Sequence, residues 1–108
     1  MSNVTTITSS ELETKALQAQ QPVILDFYQA TCAPCRALEP RLEAVAQQYA
    51  GRVVVYRIDI ERDLSIAERL GVKSIPTILV FRQGREMERL DGLITEQQLR
   101  TAFERAAT

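Results

Sequence analysis

Apolar positions recur along this chain with two periods, and each period marks a kind of element. Val23-Ile24-Leu25-Asp26-Phe27-Tyr28, Val53 to Ile60 and Thr77 to Phe81 are short, largely apolar runs rich in β-branched and aromatic residues. They read as core strands, the first of them apolar at nearly every position as a strand buried on both faces is. Between them the spacing turns helical. Leu38, Leu42, Val45 and Tyr49 fall at intervals of 4, 3 and 4 residues, one stripe of a helix that follows Cys32. Leu99, Ala102, Phe103 and Ala106 form the stripe of a last helix.

Punctuation residues set the boundaries. Ser10-Glu11-Leu12-Glu13 reads as a capping box opening a first helix that ends before Pro22, and Thr95 with Gln98 caps the last. Gly51 ends the second helix, and Gly71 ends a short one over Asp63 to Leu70. Pro40 falls inside the second helix and predicts a kink. Val4 to Ile7 reads as a short edge strand. Arg82-Gln83-Gly84-Arg85 is a turn into a strand through Leu90, which makes a hairpin. The order is strand, helix, strand, helix, strand, helix, strand, strand, helix. It predicts an α/β fold: a central mixed sheet of about five strands with four helices on its two faces, parallel crossovers in the first half and an antiparallel edge from the hairpin.

Composition narrows the class. At 108 residues and 45% hydrophobic content the chain reads as one domain, residues 1–108, with a real core. A net charge of −1 points to neither nucleic acid nor an anionic membrane as partner. The first residues, Met1-Ser2-Asn3-Val4-Thr5-Thr6-Ile7, carry no basic stretch and no long apolar run, so the expectation is a cytoplasmic chain with no secretory signal and no transmembrane segment. Arg82, Arg85 and Arg89 interleave with Glu86 and Glu88, as a solvated face does, and Met87 reads as ordinary packing. A monomer is expected.

The chemistry concentrates at Cys32-Ala33-Pro34-Cys35, which holds the only two cysteines. Cysteines three residues apart on a helix have Cα atoms about 5 Å apart, within disulfide range. The first lies at the positive end of the helix dipole, which favours its thiolate. The pair reads as a dithiol that cycles: thiolate Cys32 attacks a substrate disulfide and Cys35 resolves the mixed disulfide. The competing readings are two buried structural cysteines, or half of a metal site shared by a dimer, since tetrahedral zinc needs four ligands and this chain has two cysteines and no histidine. No resident metal or cofactor is expected. Pro34 sits early in the helix, where its missing N–H costs nothing, and small Ala33 leaves the site open. No histidine stands between the cysteines to push the pair towards oxidant behaviour, which argues for a reductant.

Asp26 interrupts a core strand that leads straight to the thiols. Burial is costly for a carboxylate and raises its pKa. One reading gives it the proton of Cys35 to take or return; the other makes it a strand aspartate paired with Arg57 on the neighbouring strand. Pro76 opens the third core strand, and sequence alone leaves its peptide bond cis or trans.

With these residues in view, the chain resembles the thioredoxin family over nearly its whole length. The marks are Asp26-Phe27 ahead of Cys32-x-Pro34-Cys35, then Pro40, Asp59, Gly71-Val72-x-Ser74-Ile75-Pro76-Thr77, Phe81, Gly84 and Gly92. The resemblance implies the thioredoxin fold and protein-disulfide reduction, with Cys32 as nucleophile, Cys35 as resolving thiol and Asp26 as buried acid/base. It implies a cis Ile75–Pro76 bond whose preceding backbone pairs with substrate in strand fashion, disulfide-containing proteins as substrates, and a thioredoxin reductase as electron donor. Arg57 takes the place of the family's usual lysine, which predicts a more firmly ionised Asp26 because arginine does not lose its proton.

The departures lie around the groove. Thr31 stands where the family usually has tryptophan, Ala33 where it has glycine, Asp91 where it has an apolar residue before Gly92, and Leu93 is bulkier than usual. By the family's layout Thr31, Ala33, Pro34, Ser74, Ile75, Pro76, Asp91, Gly92 and Leu93 line the substrate groove. A less aromatic, more acidic groove predicts an altered or narrower set of protein partners. The alternative function is a thioredoxin-like binding or redox-sensing module dedicated to one partner.

Overall fold

The computed structural model describes residues 3–108. Among them, β2 (Val23–Tyr28), β3 (Val54–Asp59), β4 (Thr77–Arg82) and β5 (Arg85–Asp91) join a short β1 (Val4–Thr6) in one sheet of order β1-β3-β2-β4-β5. The helices are α1 (Ser9–Glu11), which runs on as a π-helical stretch over Leu12–Leu17, α2 (Ala33–Gln48), α3 (Leu64–Arg69) and α4 (Glu96–Ala107). The predicted architecture, a five-stranded mixed sheet with four helices, is the one observed.

Alternation along the strands splits the core in two. Ile24, Val55, Ile78 and Val80 point to the face covered by Leu38, Leu42 and Val45 of α2 and Leu99, Ala102 and Phe103 of α4. Val23, Leu25, Phe27, Ile58, Leu79 and Phe81 point to the other, against Ile7, Leu12, Ala16, Ile66 and Ala67. Both helical stripes read from the sequence are therefore buried, with Tyr49 half-buried at the rim, its ring 5.5 Å from that of Phe103.

One connection, whose direction the residue pattern leaves open, makes the site. β4 runs antiparallel to β2, not parallel. A six-residue helix such as α3 spans about 9 Å, whereas a six-residue strand spans about 20 Å. α3 is too short to carry the chain back along the sheet. β4 therefore enters beside the end at which β2 leaves, with Thr77 opposite Phe27 and Asp91 opposite Thr77. The end of β2, the start of β4 and the end of β5 meet at one edge of the sheet.

Smaller differences follow local chemistry. The first helix is capped two residues earlier than Ser10: the Thr8 N–H donates to the Glu11 carboxylate at 3.0 Å. Its continuation is wound wide, with the Gln18 N–H reaching Glu13 O five residues back. α2 runs as one helix through Pro40 and stops at Gln48. Thr95 caps α4 as expected, its Oγ1 accepting from the Gln98 N–H at 3.1 Å. Gly84, at φ +79°, turns the hairpin; a Cβ there would meet Leu17 O at 2.7 Å. Met87 is not packed but 61% exposed, next to a bulge between Val80 and Phe81. No helix is long and apolar enough to cross a membrane among the described residues.

Candidate active site

The thiol pair stands where β2 gives way to α2. Cys32 is the N-cap of α2 and half-buried, with Pro34 in the first turn. Cys35 is buried, at 1% exposure. The two are joined as a disulfide with Cα atoms 5.2 Å apart. The Cys35 N–H donates to Cys32 Sγ at 3.2 Å. That donor belongs to the open first turn of the helix, where N–H groups have no carbonyl partner, so it is free to hold a sulfur anion. The two sulfurs therefore differ in access: Cys32 is half-buried at the helix N-cap and Cys35 is buried one turn on.

Among the described residues, Asp26 is the one buried charged side chain, at 1% exposure. It shares a sheet face with Ile24 and lies opposite Ile78, both in the cluster that packs on Leu38 and Leu42. Cys35, three residues before Leu38, opens the same buried stripe of α2. Asp26 and Cys35 thus belong to one helix–sheet interface. On its other side Asp26 lies opposite Arg57, whose Nε donates to Oδ2 at 3.0 Å. Oδ1 has no hydrogen-bond partner. Burial outweighs the Arg57 cation, and the Asp26 carboxyl is pushed up to about 6. Arg57 pulls the proton affinity of Asp26 down without overcoming desolvation.

Two partners of Arg57 are absent from the sequence reading. Its guanidinium lies over the Tyr28 ring at 3.6 Å, a cation–π contact. Its Nη1 also faces Glu39 Oε2 at 3.6 Å. Glu39 follows Cys35 by four residues, one helical turn on the same side of α2, and that spacing was the available signal.

The remaining predicted residues gather at the shared sheet edge. The Ile75–Pro76 bond is cis. Pro76 is buried and Ser74 exposed, and the Ser74 carbonyl accepts from Thr77 Oγ1 at 2.6 Å. Thr31, Ala33 and Pro34 are exposed beside Cys32. Asp91 and Gly92 are exposed at the end of β5, Gly92 turns the chain at φ +74°, and Leu93 is 85% exposed. Arg89, read as solvated, has defined partners: it pairs with Glu86 and donates to the Leu70 and Gly71 carbonyls at 2.7 and 2.9 Å. It ties the end of α3, and so the start of the loop to Pro76, onto β5.

A family model described as thioredoxin matches residues 3–105. The chain is 30% identical over 105 residues to thioredoxin 1 of Nostoc, covering 97% of this chain and 98% of that protein. It is 34% identical over 94 residues to the thioredoxin of Alicyclobacillus acidocaldarius, covering 87% and 89%. It is 30% identical to chloroplastic thioredoxin M4 of Arabidopsis thaliana, of whose length it spans 53%. Among solved structures, an N21Q mutant thioredoxin from Halobacterium salinarum superposes with a TM-score of 0.87 at 28% identity, over 97% of this chain and 91% of that one.

Proposed function

The chain belongs to the thioredoxin family and is a thiol–disulfide oxidoreductase; from that premise we propose how its residues divide the work. Cys32, as thiolate, attacks a disulfide of a protein substrate. A mixed disulfide forms between Cys32 and one substrate sulfur, and the other substrate sulfur leaves as a thiol. Asp26 then takes the proton of Cys35. The Cys35 thiolate attacks Cys32 Sγ, the Cys32–Cys35 bond forms, and the second substrate sulfur departs and is protonated. Two electrons pass from the cysteine pair to the substrate disulfide, and a thioredoxin reductase returns them. When the pair is re-reduced, Asp26 hands its proton back to Cys35.

The observation that supports this division is the contrast at the thiols: an accessible, N-capping Cys32 above a buried Cys35 whose interface contains a protonatable carboxylate. Substrate backbone lies along Ser74–Pro76, at the sheet edge shared with Thr31, Ala33, Pro34 and Asp91–Leu93. With threonine in place of the usual tryptophan and an added carboxylate at Asp91, the groove favours a narrower partner range, rich in basic or aliphatic contacts. The chain works as a cytoplasmic monomer in redox homeostasis. The dedicated binding-module alternative is not favoured, because the redox pair is intact and closed as a disulfide.

Dithiothreitol-driven reduction of insulin tests the division. Wild type turns over, Cys32→Ser does not, and Cys35→Ser accumulates a mixed disulfide on Cys32. An adduct that forms only through Cys35 would reverse the assigned order.

A further inference from the structure

The arrangement around Arg57 assigns a task to Glu39, a residue outside the thiol motif. Arg57 is placed between two carboxylates of unlike surroundings. Its Nε donates to Asp26, buried at 1% side-chain exposure, at 3.0 Å. Its Nη1 faces Glu39, 45% exposed at the rim of α2, at 3.6 Å. The Arg57 side chain is 12% exposed, and its guanidinium carbon sits over the Tyr28 ring, 3.6 Å from the centroid, which holds it in place. Arg57 therefore does not swing freely between its partners; it is held with one edge inward and one edge outward.

A cation held this way divides its field. With Glu39 ionised, part of the Arg57 charge is offset at the rim and less is left for Asp26. Glu39 also adds a like charge on the same side of the interface. Both effects favour the proton on Asp26. Among the described residues, Arg57 and Glu39 are the charged groups that act on Asp26. Opposite Asp26 are Arg57 from β3 and apolar Ile78 from β4; from α2, Glu39 acts on it as a charge and Cys35, tied up in the disulfide, lies in the same helix–sheet interface; Tyr28, under the guanidinium, is the remaining titratable side chain on β2. The Asp26 carboxyl is pushed up to about 6 chiefly by burial, and the two charges act on it with the same signs, Arg57 lowering it and Glu39 adding a smaller rise.

We infer that Glu39 is a positioning residue for thiol exchange, which acts through the shared Arg57 guanidinium to keep Asp26 able to carry the Cys35 proton. The inference rests on the reading of Asp26 as proton carrier, and it explains how this chain keeps that function with an arginine beside the carboxylate. Arginine neither accepts nor donates a proton in exchange, so the pair is tuned by a second carboxylate instead.

The test is a carboxyl ¹³C NMR titration of Asp26 in the oxidised protein, wild type against Glu39→Gln. The substitution is near isosteric at a half-exposed position, and thermal unfolding of both proteins checks that the fold is kept. The midpoint is expected to fall by about half a pH unit in Glu39→Gln. An unmoved midpoint, or one that rises, overturns the inference, whereas a purely structural role for Glu39 changes the unfolding temperature and leaves the midpoint in place. The pH profile of dithiothreitol reduction of the disulfide is measured alongside. Its midpoint is expected to move with that of Asp26 in Glu39→Gln and to show no effect of Glu39→Gln in an Asp26→Asn background. A shift that survives in that background overturns the route through Asp26. Equal rates for wild type and Asp26→Asn at every pH would instead strike the proton-carrier reading itself, leaving the titration to judge Glu39 on its own.

Discussion

The two faces of the central sheet are built from alternate residues of the same strands, yet they do different jobs. On the face turned to α1 and α3, β2 contributes Val23, Leu25 and Phe27, all buried among aliphatic and aromatic side chains. On the face turned to α2 and α4 it contributes Ile24, then Asp26, then Tyr28. The first face is dry and holds the fold together. The second is interrupted by one carboxylate with an unpaired oxygen, beneath the helix that carries the thiols. A chemical group buried in a core costs stability. Here the cost is confined to one position in one row, and the opposite face offsets it. Neighbouring residues of one strand thus answer to different demands, and mutations one position apart are expected to separate stability from chemistry.

The largest separation is expected at Phe27. Phe27→Ala empties a fully buried aromatic site on the dry face, and chemical denaturation is expected to show a loss of about 3–5 kcal/mol. The exchange rate of the molecules that stay folded is expected to match wild type. If that rate falls by tenfold or more, the two faces are not separable.

Asp26→Asn, next door, is expected to do the opposite. The carboxyl is raised from 3.8 to about 6 in the folded chain. The folded state therefore binds its proton more tightly than the unfolded state. Stability from this group is complete below about pH 4 and is lost as the pH rises through about 6. At neutral pH the ionised carboxylate costs up to about 3 kcal/mol. Removing one member of a buried ion pair commonly strands the other, but Arg57 keeps Glu39 and the Tyr28 ring. Asp26→Asn is thus expected to be more stable than wild type at pH 7 and no more stable at pH 4, as read by urea unfolding at both. A less stable variant at pH 7 would mean that the Asp26–Arg57 pair is net favourable.

A smaller effect is expected at Arg89, which belongs to neither face and holds the start of the loop to Pro76 from outside. Arg89→Ala removes hydrogen bonds to the Leu70 and Gly71 carbonyls. About 1 kcal/mol of stability is expected to go with them, together with faster amide exchange along the loop to Pro76. Unchanged protection of that loop would remove Arg89 from the support of the groove. The smallest effect is expected at Asp91. Asp91→Ala is expected to change relative rates on basic and acidic protein disulfides by less than about tenfold, with stability untouched. Equal ratios before and after would separate Asp91 from partner choice.

Legibility followed the same division. Apolar runs and periodicity carried both helical stripes and the three core strands, because burial leaves a trace in the residue types, whereas the largely exposed β5 was legible only through the turn that precedes it. The cysteine pair and Asp26 were legible because each breaks such a trace: a carboxylate in an apolar run, two thiols at one helical turn. The direction of β4 was not, because periodicity reports which faces are buried and not which way a strand runs; that depended on the reach of α3. Glu39 was missed for a related reason. A glutamate at the rim of an amphipathic helix looks like any solvated side chain until the partner on another strand is in place. Arg57 was visible as the neighbour of Asp26, but its second edge and the Tyr28 ring beneath it exist only in the folded arrangement.

The most direct test of the central claim, that the interrupted face carries the chemistry, is the rate at which dithiothreitol reduces the Cys32–Cys35 disulfide, in wild type and in Asp26→Asn, from pH 5 to pH 8. The ratio of the two rates cancels the ionisation of the reductant. It is expected to be high where Asp26 holds a proton for the departing Cys35 sulfur and to fall through a single step centred near pH 6. A ratio that stays flat across the range would contradict the account, and would reduce Asp26 to a buried charge with no part in the exchange.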